Sequence, residues 1–301
     1  MVNCDNILTM RIRERRRMVV AKTKDDGYGK KIIECKNVKK VYRMGKEKIV
    51  AVNDVSFEIL KGEFCCLLGT SGSGKSTLLN LMAGIEKASG GGIFIKGKNI
   101  RSMSEKDLAK FRQQYLGFVF QSYNLLNSMT AIENVEFPLV FKRVPAKQRR
   151  RMAIEILTKV GLKTRMNHKP KEMSGGQQQR VGIARAFVAK PEIVFADEPT
   201  GNLDTKTTME VMDLIKGMAR ENKQTIVMVT HDPRLAEYAD KIIRVLDGNV
   251  QSVEVRHDIN DPDDNYTAEA IHAQAKKQDM EMEKQEPEVK YVPVIPGEDD
   301  N

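Results

Sequence analysis

Gly69-Thr70-Ser71-Gly72-Ser73-Gly74-Lys75-Ser76 fits G-x-x-x-x-G-K-[ST] in full. Residues of these types at this spacing bind phosphate. The glycines let the backbone wrap closely, so that N–H groups point inward at phosphate oxygens. Lys75 is placed to reach the β- and γ-phosphates of a nucleoside triphosphate, and the Ser76 hydroxyl to ligate Mg²⁺. Thr77 carries the chain into a helix whose N-terminal N–H groups and dipole add attraction for anions. A second segment supplies acids: Asp197 and Glu198 close the apolar run Ile193-Val194-Phe195-Ala196. Asp197 can hold Mg²⁺ through water, while Glu198 can orient and polarise an attacking water. Alone, such a pair also fits a solvated acidic turn. Beside a complete phosphate loop it fits the hydrolytic half of the same site.

The elements that must position these groups follow from the apolar pattern. Phe64-Cys65-Cys66-Leu67-Leu68, ahead of the phosphate loop, is a short apolar run that suits a buried parallel strand. Leu78 to Ala83 behind it has helical character. The run Ile193–Ala196 precedes Asp197, and Thr225-Ile226-Val227-Met228-Val229-Thr230 precedes His231 as the last core strand. Strands separated by helices imply a parallel α/β sheet with the site at the strand C-termini. Upstream, Ile32–Cys35, Ile49–Val52 and Val55–Ile59 favour three strands, with a turn at Lys61-Gly62-Glu63. From about Ile132 to Lys171 the pattern is helical, with Arg149-Arg150-Arg151 at one start, so a helical insert interrupts the sheet.

The 301 residues hold one large or two modest domains, with enough apolar content for a core. Lys and Arg number 50 against 41 Asp and Glu, a net charge of +9. The excess suits phosphate handling or an anionic membrane face, and solvated surface charge equally. No window approaches the ~18 apolar residues of a membrane-spanning helix. No apolar stretch follows the basic N-terminus, so a secretory signal is not expected. Cys4, Cys35, Cys65 and Cys66 form no CxxC pair, which suits reduced thiols in cytosol. Three regions are expected: a flexible basic extension over 1–31, a domain over 32–255, and an acidic tail over 256–301, the tail with a transient helix near Ala268 to Met282.

Met173-Ser174-Gly175-Gly176-Gln177-Gln178-Gln179-Arg180 resembles the signature motif of ABC ATPases. The resemblance spans about residues 32 to 252. It implies a P-loop NTPase-type ABC nucleotide-binding domain of α/β class, with an antiparallel β subdomain and a helical, signature-bearing subdomain at about 122–185. Gln121 takes the position of the Q-loop and would sense Mg²⁺. Asp204 belongs to the D-loop Gly201-Asn202-Leu203-Asp204, and His231 stands as the switch histidine that contacts the γ-phosphate. Tyr42 resembles the aromatic that stacks on adenine, although an ordinary strand residue fits there too. Met173 departs from the usual Leu, a volume-conserving change.

Ser174, Gly175 and Gly176, with Gln177, lead into a helix and make a second phosphate-binding N-terminus. One chain does not need two such sites for one γ-phosphate. In the family, the signature of one subunit closes over ATP held by the phosphate loop of the other. The implied assembly is a homodimer with ATP and Mg²⁺ at the interface.

Phe120–Leu126, Met129–Val135 and the triple-Gln signature resemble the macrolide-export and lipoprotein-release ATPases, the MacB/LolD group, which includes FtsE. Members drive a separate membrane permease, whose coupling helix would dock between Gln121 and about Phe141. The implied location is cytoplasmic, peripheral on the cytosolic face of a membrane. A non-transporting regulator of the FtsE type remains the alternative. A soluble ribosomal or DNA-repair ATPase fits less well: there is one cassette and no long coiled coil, and no nucleic acid is expected.

Overall fold

The computed structural model describes residues 29–45, 47–257 and 259. The tail helix expected near Ala268 to Met282 and residue Cys4 lie outside them. Two sheets organise the chain. The first has strand order β2-β1-β4-β5 and is antiparallel: β1 (Lys31–Met44), β2 (Glu47–Leu60), β4 (Gly90–Ile95) and β5 (Lys98–Asn99). The second has order β10-β9-β3-β8-β7-β6. Its members are β3 (Phe64–Leu68), β6 (Leu116–Phe120), β7 (Ile193–Asp197), β8 (Thr225–Thr230), β9 (Lys241–Leu246) and β10 (Asn249–Val255). All its pairings are parallel except β9 with β10.

Strands β3 and β8 are buried along their whole length, as the unbroken apolar runs require. Alternate side chains enter cores on opposite faces of the sheet. Cys65 and Leu67 join the cluster against the antiparallel sheet and α1 (Lys75–Met82). Phe64, Cys66 and Leu68 join the cluster against the helices. The adjacent cysteines are therefore core residues of two separate packings. Each fully buried aliphatic side chain contributes about 1.5–3 kcal/mol, so this double-sided strand is a stiff platform for the loop that follows it.

The helical region comprises α3 (Ala131–Phe141), α4 (Ala146–Lys159) and α5 (Gly175–Phe187). Helix α2 (Glu105–Tyr115) leads into β6, and α6 (Thr205–Glu221) and α7 (Pro233–Ala236) flank β8. Three local expectations change. Ile49–Val52 and Val55–Ile59 belong to one continuous strand, β2, with irregular pairing to β1 between them. Helix α4 starts at Ala146, ahead of the arginines. Strand β8 is not the last core strand, because β9 pairs with β3 on its other side. Five or six apolar residues do not distinguish a strand from a buried helix, which is why β6 and β9 carry no clear local signal.

Candidate active site

Parallel register brings four distant segments to one edge. Leu68 pairs with Thr230, Val229 with Asp197, and Asp197 with Phe120. The residues that follow these strands (Gly69, His231, Glu198 and Gln121) therefore emerge side by side. After β3 the chain turns tightly into α1. Gly74 has φ +95°, and a Cβ there would fall 2.2 Å from the Ala51 carbonyl oxygen, so no other residue fits. No side chain caps α1, which leaves its first N–H groups free to bind an anion. Lys75 is largely buried and folds back across the loop, donating to Thr70 O at 2.7 Å. Burial lowers its pKa, while Glu198 and Asp197 oppose the shift.

A cavity of about 660 Å³ lies over this loop. Its walls are Thr70, Ser71 and Gly72, then Gly74, Lys75, Ser76 and Thr77, faced by Gln121, Glu198 and His231. Gly69 and Ser73 sit beneath, with Gly69 N donating to Thr230 O and Ser73 2% exposed. Ser76 Oγ donates to Asp197 Oδ1 at 3.1 Å. Burial pushes the Asp197 carboxyl above its ordinary value, and the neighbouring Glu198 adds to the rise. A hydroxyl and two neighbouring half-buried carboxylates suit a hard divalent cation. Among the described residues no cluster of three or more His, Cys, Asp or Glu is poised to hold a metal. A magnesium ion here would accordingly take the rest of its shell from phosphate and water oxygens, its usual habit.

Glu198 occupies a left-handed backbone conformation, φ +45°. Its N–H donates to Val229 O at 3.0 Å and its carbonyl accepts from Gly201 N at 3.1 Å. The carboxylate lies 2.9 Å from His231 Nδ1 and accepts from Thr230 Oγ1 at 3.4 Å. His231 is otherwise exposed. Gln121 lies against Gly201, and its carbonyl accepts from Asn202 Nδ2 at 3.0 Å. Thr230 joins the site through its hydroxyl, which nothing in its apolar run announces.

Other expected residues lie off the cavity wall. Tyr42 on β1 donates its hydroxyl to Glu86 Oε2 at 2.7 Å and also hydrogen-bonds Thr77, which puts its ring beside the end of the loop. Asp204 caps α6 by accepting from Thr207 N at 3.0 Å. Ser174 caps α5 in a reciprocal box with Gln177. None of Ser174, Gly175, Gly176 and Gln177 borders the cavity. Their neighbours are Tyr123, whose hydroxyl lies over Gly175, and Thr207 of α6 beside Gly176. Gln179, which the motif carries without a distinct role, is fully buried, and its amide N donates to Pro199 O. A polar residue in the buried stripe Gln179, Ile183, Ala186 is the signal that marks it.

A phosphate loop on the central strand, with carboxylates and a histidine on its neighbours, defines a P-loop nucleotide hydrolase. The ABC transporter family model matches residues 52–201. An ABC transporter ATP-binding protein of Thermotoga maritima is 45% identical over 227 residues, 75% of this chain and 97% of that protein. The lipoprotein-releasing system ATP-binding protein LolD of Francisella tularensis is 44% identical over 223 residues, 74% and 96% of the two chains. The ATP-binding cassette MJ0796, solved as a dimer in a post-hydrolysis state bound to ADP and Pi, superposes with TM-score 0.71 at 42% identity over 75% of this chain and 99% of its own. The chain belongs to the ABC transporter ATP-binding proteins, and it is an ATP-binding, ATP-hydrolysing cassette like those of the LolD and MacB type.

Proposed function

We propose that this chain hydrolyses Mg²⁺-ATP between two copies of itself and thereby drives a separate membrane subunit. The observation that carries the reading is the separation of two phosphate-binding helix N-termini. The α1 terminus lines the cavity, whereas Ser174–Gln177 at the α5 terminus faces Tyr123 and Thr207. Two chains arranged head to tail would complete both sites at once. The dimeric state of the post-hydrolysis relative agrees with this.

Within each site the chain's groups have separate tasks. The loop N–H groups and Lys75 bind and orient the phosphates, and Ser76 and Asp197 would hold Mg²⁺, which supplies charge neutralisation when bound. Glu198 accepts a hydrogen bond from the attacking water and orients it. His231, 2.9 Å from that carboxylate, holds it and reaches toward the γ-phosphate. Ser174, Gly175 and Gly176 close from the other chain, Asp204 lies at the chain junction, and Tyr42 stacks on adenine. Positioning and electrostatics carry most of such catalysis.

The membrane partner would dock in a second cavity of about 670 Å³. Phe118, Phe120, Phe137 and Phe141 line it, with Phe141 57% exposed and Val140 46% exposed beside it. Lys106, Lys110, Arg112 and Arg185 are its charged residues, and no carboxylate lines it. An apolar coupling segment bearing acidic side chains suits this groove, and α2 extends the docking face beyond Gln121–Phe141. Among the described residues no helix is long and apolar enough to cross a membrane. The place proposed is the cytosolic face of a membrane, held by that partner.

Light scattering on Glu198→Gln protein eluting from a sizing column tests the paired site. With Mg²⁺-ATP the mass should double, and without nucleotide it should return to that of a monomer. A monomer under both conditions would count against completion of the site by a second copy.

A further inference from the structure

Gln179 is a buried amide on α5, one turn beyond the capping residue Ser174. Its side chain is entirely inaccessible, and its amide N donates to the carbonyl of Pro199. Its amide O has no hydrogen-bond partner among the described residues. A carbonyl can only accept, so the orientation of the amide is determined by Pro199. Pro199 directly follows Glu198, in the turn closed by Gly201 N to Glu198 O.

Two physical facts make this contact unusual. A buried amide with one unmet oxygen costs stability, and an apolar side chain of the same length would avoid that cost. The bond to Pro199 offsets that cost only in part, although it does satisfy the buried Pro199 carbonyl. Moreover, it joins the helix whose N-terminus carries Ser174 and Gly175 to the turn that carries Glu198. The other supports of that turn come from the sheet side: Val229 O accepts from Glu198 N, and Thr230 Oγ1 donates to its carboxylate. Gln179 is the support that comes from the signature helix.

We propose that Gln179 is a positioning residue that transmits the seating of the signature segment to Glu198 of the same chain. When Ser174 and Gly175 close on nucleotide held by the second copy, α5 is held in place at its N-terminus. The Gln179 amide then holds the Pro199 carbonyl, and with it the backbone of Glu198, in the arrangement that orients water. The bond is already formed in the single chain; closure of the opposite site fixes the helix that donates it, which ties hydrolysis in one site to occupancy of the other. This inference rests on the dimeric reading and on Glu198 as the group that orients water.

The test is single- and multiple-turnover ATP hydrolysis by the full chain carrying Gln179→Met, in the native and Glu198→Gln backgrounds. In the native background kcat should fall on the order of tenfold, the scale of coupling through such a link. KM and nucleotide affinity should stay within about twofold, and the variant should keep a cooperative melting transition above the assay temperature. In the Glu198→Gln background the same substitution should cause no further fall, because residues acting through one group are not additive. Unchanged kcat, or an equal fall in both backgrounds, overturns the proposal. Should Gln179→Met not fold, Gln179→Glu serves instead: its protonated carboxyl can donate the same bond. Its activity relative to the native chain should rise as pH falls from about 8 to about 6, through a buried carboxyl's raised pKa, and a flat ratio overturns the proposal. Normal hydrolysis by Glu198→Gln alone would remove the base and the relay together. Normal turnover by Gln179→Met beside an impaired Glu198→Gln would remove the relay alone.

Discussion

At the scale of single residues, the site depends on charges placed where water is partly excluded. The backbone of Glu198 is tied to Val229 on the strand side and to Gly201 across its own turn. Replacing Glu198 by Gln keeps the shape and removes the negative charge. Phosphate release should fall about 10²- to 10⁴-fold while a fluorescent ATP analogue still binds; normal release would remove Glu198 from this role. Lys75 is different in kind. Its ammonium is buried against the loop and donates to Thr70 O, an arrangement that costs desolvation and is useful only when phosphate arrives. Lys75→Ala should weaken ATP binding at least about tenfold, as for a lost charge-assisted bond. Calorimetry finding the native affinity would contradict the cradle.

At the scale of elements, α6 shows how a helix beside the site carries its own electrostatic load. Lys216 on α6 is buried and donates to Tyr238 O at 2.9 Å. Burial lowers its pKa to about 7 from 10.5, against the pull of Asp240 and Asp213 and with the push of Arg220. Below about pH 7 both folded and unfolded chains carry the charge, and the folded state bears the whole cost of burying it. As pH rises toward 10.5 the folded chain sheds the proton first, so this group makes stability increase across that window. Urea unfolding at pH 7 and about 9 should show the native chain gaining stability relative to Lys216→Met. Equal pH slopes for the two would place the ammonium in water. Asn134 does comparable work without charge on α3: its amide donates to Leu126, Met129 and Thr130 carbonyls and accepts from Leu126 N. One buried side chain thereby shapes the loop between Gln121 and the helical region.

At the scale of the whole molecule, the two cavities are served by β6. Phe118 and Phe120 of that strand line the apolar groove, while Gln121, the next residue, faces the nucleotide cavity and packs on Gly201. A partner seated in the groove and a nucleotide in the cavity would thus bear on one short strand and the residue that follows it. Phe141→Glu places a charge on the exposed rim, at a residue that does not line the nucleotide cavity. It should leave ATP hydrolysis by the purified chain within about twofold, as expected of a surface change. The native chain should sediment with membranes of its source cells and the variant should not. Equal sedimentation would remove the groove as the docking face.

The local chemistry of this protein is written contiguously. Eight residues of phosphate loop, two acids after an apolar run, and the motif from Met173 to Arg180 each act through neighbours in the chain, so their residue types and order suffice to recognise them. A strand-to-turn-to-helix passage is likewise a short-range event, set by Gly74 and the cap-free start of α1. What only the tertiary structure decided depends on pairings across long separations. Parallel strands leave no local trace of their neighbours, so the alignment of Phe120, Asp197 and Val229, and with it the meeting of Gln121, Glu198 and His231, exists only once the sheet forms. The same holds for the hydroxyl of Thr230, for the link from Gln179 to Pro199, and for the separation of the α1 and α5 N-termini. Each arises from packing around two cores whose apolar residues are interchangeable in sequence but not in place.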